Sequence, residues 1–274
     1  MRCLSLTLAA MAAMALAGCE TYTQTTSGKE YLARYARHAG DDAESRIDPA
    51  VQAAAAVEPA LTFPARIGIA RIDRGALSPI PRREAEAWMA LAQELGPDWG
   101  TFVPISLLIT ALAGDADSDK EPRKWGCHYY DDCLEQTIRE IRLGAARQHV
   151  DVVLIYEVHA SGESTSNALA VTKFAIVGFF FVPSEDIVAD GFAQAVLVDV
   201  RNGYSYGFAS ATADEAASAL STSVNQSTEM RSTLELAKTE AALMLVPEVK
   251  EMATRLRIDL AEKRAADAAS AGAD

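Results

Sequence analysis

Between residues 65 and 260 the apolar positions recur in two rhythms, and each rhythm predicts an element. The stretch 65–73, ARIGIARID, carries Ile67, Ile69 and Ile72 just after Pro64 and predicts a first strand. In 81–96 the residues Ala85, Trp88, Met89, Ala92 and Leu95 fall at helical spacing, and Gly96 followed by Pro97 stops the helix. Residues 102–109, FVPISLLI, predict a second strand whose first half Pro104 weakens. Leu134, Ile138, Ile141 and Ala145 then share one helical face. That helix leads into 150–158, VDVVLIYEV, whose apolar run marks a buried central strand.

Further on, Phe174 to Val182 form an unbroken apolar run that ends at Pro183. Arg201-Asn202-Gly203 separates two β-rich runs, which predicts a hairpin, because a type I′ turn wants positive φ at both central residues. Met230, Leu234, Ala237, Ala241 and Met244, then Val249, Met252, Leu256 and Leu260, give a long apolar helical stripe that Pro247 kinks or splits. The order is β-α-β-α-β-β-β-α. It predicts an α/β fold, a single mixed-sheet domain in two or three layers over residues 61–262.

The flanks lack such periods. Residues 19–60 read as a flexible tether, with a short helix in EYLARYARH, and 263–274 as an alanine-rich disordered tail. Met1 to Gly18 has one charge, Arg2, and then the apolar run Leu4 to Leu16, too short for the ~20 residues that span a bilayer. It predicts a secretion signal. Leu16-Ala17-Gly18-Cys19 resembles the bacterial lipobox, which implies cleavage before Cys19 and acylation of that cysteine. Several acyl chains, at ~0.8 kcal/mol per buried methylene, would make a lasting membrane anchor. The rule for sorting bacterial lipoproteins sends a chain with no Asp after the cysteine to the outer membrane, and Glu20 stands there.

Composition narrows the partners. The formal charge is -13, or -14 without the leader and its Arg2. Such acidity argues against nucleic acid and against an electrostatic grip on anionic lipid. Cys3 leaves with the leader and Cys19 takes lipid, so Cys127 and Cys133 remain in an oxidising compartment and are expected to form a disulfide. A loop that short gains ~2–3 kcal/mol in the chain-entropy model, and its role is to pin the helix that follows. A metal site from Cys127, His128, Asp131, Asp132 and Cys133 is the rival reading. The spacing is wrong for zinc and no second ligand pair is present, so neither metal nor cofactor is expected.

Candidate chemistry is sparse. Glu157 and His159 are two apart on a strand, hence on one face, and Ser161 follows beyond the strand's expected end, where open α/β sheets bind ligands. A strand turning into solvated loop also acquires such residues, and no nucleophile elbow, phosphate loop or HExxH supports a site. The run 174–182 is long enough for a tilted barrel strand, but it lacks the required alternation, which favours a buried or bilayer-touching segment.

The lipobox, SGKEYLARY, PARIGIARI, AARQHVDVVLIYEV, GFFFVPS and AVLVDVRNGYSYGFA together resemble the rhombotarget lipoproteins of the bacterial outer membrane. The layout is also similar to the periplasmic domain of curli secretion channel lipoproteins. Neither resemblance brings a catalytic motif, and Cys19 is the one residue with an implied role. Together they imply a non-enzymatic accessory module of the cell envelope, with a membrane anchor and an envelope protein as partner. A small-ligand binder or hydrolase at Glu157, His159 and Ser161 is one alternative, and an oligomeric export component is another.

Overall fold

The structure is a computed structural model that describes residues 20–39, 47–114, 130–166, 185–219 and 223–271. In chain order the elements are β1 (Glu20–Thr23), α1 (Gly28–Ala39), α2 (Pro49–Ala55), β2 (Ala65–Asp73), β3 (Ala76–Ser78), α3 (Arg82–Leu95), β4 (Gly100–Pro104), α4 (Leu107–Gly114), α5 (Tyr130–Arg147), β5 (Val152–Ser166), β6 (Glu185–Asp199), β7 (Ser205–Ala219) and α6 (Ser223–Ala271). The seven strands form one mixed sheet in the order β1-β7-β6-β5-β2-β3, with β4 also on β2. The parallel pairs are β2 with β4 and β2 with β5; the others are antiparallel. The expected α/β class with a single mixed sheet is what the chain adopts.

The two sheet faces are covered unequally. On one, α3 and α6 bury Ile67, Ile69, Leu154, Tyr156, Ala195, Leu197 and Tyr206 against Trp88, Leu245, Met252 and Leu256. On the other, α5 packs Ile141 and Ala145 against Ala70, Ile72, Val153 and Ile155. Along β6 and β7 that second face carries no helix among the described residues, and Val188 and Phe192 are exposed there.

Several expectations need correction. Leu107 to Ile109 begin α4 instead of extending a strand. β4 stays paired with β2 through Pro104, Ile105 N still donates to Ile69 O at 2.9 Å, and Ser106 then caps the new helix, its Oγ accepting from Ile109 N at 3.4 Å. A short apolar run gives no period by which to tell the two elements apart. The Asn202-Gly203 hairpin exists, but its turn is not type I′. Only Gly203 has positive φ, and Asp199 N bonds Tyr204 O across a four-residue loop. The two-residue turn with both φ positive is Arg74-Gly75, between β2 and β3. Pro247 does not split α6, which runs unbroken for 49 residues.

The ends also differ from the expected tether and tail. Glu20 to Thr23 pair with Ser210 to Gly207 as an edge strand, and Gln24 N continues the ladder to Tyr206 O at 2.9 Å. At the other end α6 continues to Ala271, and its Lys263 and Arg264 donate to the carbonyls of Thr25 and Leu61. Backbone bonds to an existing sheet hold a polar strand that has no apolar period of its own. The run 174–182 lies outside the described residues.

α6 lies close on β6 because the facing side chains are small. Ala189, Gly191, Ala193 and Ala195 alternate down the inner face of β6, under Ala237, Ala241 and Ala242 of the helix. A Cβ on Gly191 would stand 2.2 Å from the carbonyl oxygen of Ala237, a backbone atom that cannot turn away. Gly191→Ala therefore lifts the helix and is expected to cost about 1–3 kcal/mol. Thermal unfolding checks it: Tm falls by several degrees, and an unchanged Tm would mean that the helix is not seated so closely.

Candidate functional site

β5 stays paired with β2 as far as Val158 and then continues with β6 alone to Ser166. Residues 159–166, 185–192 and 212–219 thus form a three-stranded arm beyond the parallel part of the sheet. The sequence read its first strand as loop because HASGESTS is polar. The pairing partner accounts for the strand, since Ile187 and Ala189 on β6 are fully buried.

The three candidate residues share the uncovered face of this arm. Glu157 is buried and accepts from Gln194 Nε2 at 3.2 Å. His159 Nε2 lies 3.3 Å from Glu157 Oε1, and the imidazole is 40% exposed. Ser161 is exposed one alternation farther out, opposite Asp190, and its hydroxyl makes no hydrogen bond among the described residues. His159, Ser161, Asp190, Phe192, Thr212 and Asp214 line an open groove of about 520 Å³. A carboxylate thus orients an imidazole here, as a general base requires.

Behind this face lies a buried charge network that sequence reasoning missed. Arg71 of β2 donates from Nε to Glu84 Oε2 at 3.1 Å and from Nη1 to Asp73 Oδ2 at 3.3 Å and Ser78 Oγ at 2.8 Å. Tyr156 Oη donates to Glu84 Oε2 at 2.6 Å, and Glu84 Oε1 has no partner among the described residues. Lys238 of α6 closes the network on Asp73 at 2.9 Å and Glu235 at 3.0 Å. Burial pushes the Glu84 carboxyl up, and the bonds from Tyr156 and Arg71 recover only part of that cost. Asp73 is also raised by burial, yet its contacts with Lys238 and Arg71 outweigh that and hold it low. Two signals were available: Arg71 interrupts an apolar strand, and Lys238 sits on the helix stripe between Leu234 and Ala241.

A second polar knot sits at the opposite end of the sheet. Asp199, fully buried, accepts from Arg201 N and its guanidinium and from Tyr206 Oη at 3.0 Å. Tyr206 Oη in turn accepts from Ala60 N and Leu61 N at 2.8 and 2.7 Å. Burial raises the Asp199 carboxyl, but the Arg201 and Tyr206 hydrogen bonds more than offset it and hold it below the usual range.

Of the other candidates, Cys19 and Cys127 lie outside the described residues, as does the side chain of Cys133. The described residues hold no group of three or more His, Cys, Asp or Glu placed for a metal ion. No described helix is long and apolar enough to cross a membrane.

No protein-family model and no curated protein matches the chain. Among solved structures it is similar to lipoprotein GNA1162 from Neisseria meningitidis, at 16% identity and TM-score 0.26, over 61% of this chain and 93% of that one. A PelC dodecamer from Paraburkholderia phytofirmans matches at 13% identity and TM-score 0.24, over 68% of this chain and 91% of that one. Hypothetical protein CT253 from Chlamydia trachomatis matches at 12% identity and TM-score 0.25, over 70% and 95%. Likeness at this level carries no function across.

The depressed Asp73 and Asp199 favour the folded state above the unfolded carboxyl value and lose that contribution as pH falls through their lower folded values. Stability is therefore expected to drop below about pH 4, the unfolded aspartate range. Asp199→Asn should lower stability at pH 7 by about 1–3 kcal/mol, because the buried carboxylate that accepts from Arg201 N, its half-exposed guanidinium and Tyr206 Oη is lost, and should flatten the acid limb. Denaturant melts at pH 7 and pH 3 check both effects.

Proposed function

We propose that the chain is a lipid-anchored protein of the cell envelope, acylated at Cys19 and held at the periplasmic face of the outer membrane. It works there as a non-enzymatic interaction or assembly module. The observation that supports this reading is that Glu20, the first residue after the lipobox cysteine, already belongs to the sheet. Thr23 Oγ1 donates to Asp259 at 2.8 Å, Tyr204 Oη to Thr26 O at 2.9 Å, and Lys29 N to Glu58 at 3.0 Å. Burial and nearby acidic groups push the Tyr204 hydroxyl up to about 12, so it stays protonated and able to donate. Acyl chains on Cys19 would thus leave from the edge of the folded body, one residue from a paired strand.

An interaction role is supported by apolar side chains that the described fold leaves in solvent. Leu108 and Leu112, one turn apart on α4, are 79% and 62% exposed. Val188 and Phe192 do the same on the uncovered face of β6.

Cell fractionation of the Cys19→Ser variant tests the anchor. The wild type should partition with outer membranes and carry the mass of an acylated amino terminus, and the variant should be released. A wild type with an unmodified amino terminus, or a variant that stays with the membrane unchanged, would overturn the reading.

A further inference from the structure

The β2–β3 turn faces the N-terminal half of α6 across a groove of about 500 Å³, within the range of small-molecule sites. We infer that this groove, with Arg74 at its lip and Arg231 on α6, binds a small amphiphilic anion: a phosphate or carboxylate head carrying a short apolar group. The inference is independent of lipidation at Cys19.

The position fits a ligand first. The groove opens beyond Asp73 and Val158, where the parallel pairing of β2 and β5 stops, which is where α/β sheets place their ligands. Its wall is split by chemistry: Val158, Met230 and Leu234 on one part, Arg74, Arg231 and Lys238 on another. An apolar surface beside guanidinium groups matches an anion with a hydrocarbon portion, and the planar fork of arginine suits phosphate or carboxylate.

Its charge runs against that of the whole chain. Three cations line the groove against two carboxylates, Asp73 and Glu235, in a chain of net charge -13. Both carboxylates are already engaged by Lys238, and Asp73 also by Arg71. The outward cations are the remaining charge: Arg74 is 85% exposed, 3.8 Å from Asp73, and Arg231 is exposed. A general anion attractor would be unexpected on so acidic a protein.

The backbone gives an independent reason to look here. Arg74 has φ 54 in a turn where Gly75 also has positive φ. Asparagine suits the first position of such a turn better than arginine, so Arg74 sits there at a cost in backbone strain. Strain of this kind collects where a side chain has work to do. The cost also provides a test, because Arg74→Asn removes the guanidinium while suiting the turn better.

Calorimetric titration of the full chain with hexyl phosphate is the experiment. The wild type should bind it more tightly than inorganic phosphate. Arg74→Asn should weaken it about tenfold while Tm holds or rises, and Arg231→Gln should also weaken it about tenfold, each a loss of roughly 1.4 kcal/mol. Competition by phosphatidylethanolamine vesicles containing phosphatidylglycerol would identify a lipid headgroup as the source, and lack of competition a soluble anion; either upholds the site. No binding of hexyl phosphate, equal affinity for inorganic phosphate, or affinity unchanged in both variants would overturn it.

Discussion

The close seating of α6 on the sheet organises this molecule. The helix has no room for larger side chains over β6, so alanine and glycine fill both sides of the contact. Along that stretch backbone approaches backbone and gains many dispersion contacts at short range, while farther along the helix Leu245, Met252 and Leu256 supply larger burials. A helix held that way can be long. Its 49 residues cross from the arm of β5–β7 to the N-terminal segment. The same helix brings Lys238 to the buried charge network at one end and Asp259, Lys263 and Arg264 to residues 23–61 at the other.

That reach makes the N-terminal segment part of the fold. Residues 20–26 are bonded on one side to β7 and on the other to α6. Residues 58–61 are held by Tyr206, Arg201 and Asn202 around the buried Asp199. Two polar knots, Asp199–Tyr206 and Arg71–Glu84–Tyr156, bracket the apolar core and fix the register of strands whose small side chains specify it weakly. An acyl group on Cys19 would then set the orientation of the body as well as its address, since no free chain intervenes.

Much of this was legible in the sequence where one face is buried and the period is clear. β2 falls on ARIGIARID residue for residue, and α3 stops at Gly96 with φ 80, the residue that signalled its end. The strand–helix ambiguity at Leu107 resolved through Ser106, a capping residue inside an apolar run. The polar half of β5 and all of β1 were unreadable because pairing with neighbours far along the chain, and no pattern of their own, holds them. The two-residue strand period set Glu157 and His159 on one face, and the structure holds them 3.3 Å apart with Ser161 in the same groove. The sequence pattern did not single out Arg71, Glu84 or Lys238, although Arg71 and Lys238 each sit among apolar residues of their own element. The Asn-Gly signal found the hairpin but not its turn, since Asp199 draws Arg201 N and closes a longer loop.

Hydrogen–deuterium exchange of the full-length protein, followed at the amides of residues 20–27, measures directly whether the N-terminal segment is part of the sheet. With β1 paired and clamped by α6, those amides that bond to β7 should exchange as slowly as the amides of β7 itself, over minutes to hours. Exchange within seconds, at the rate of an unstructured chain, would show a free leash between the anchor cysteine and the body and would contradict the fold described here.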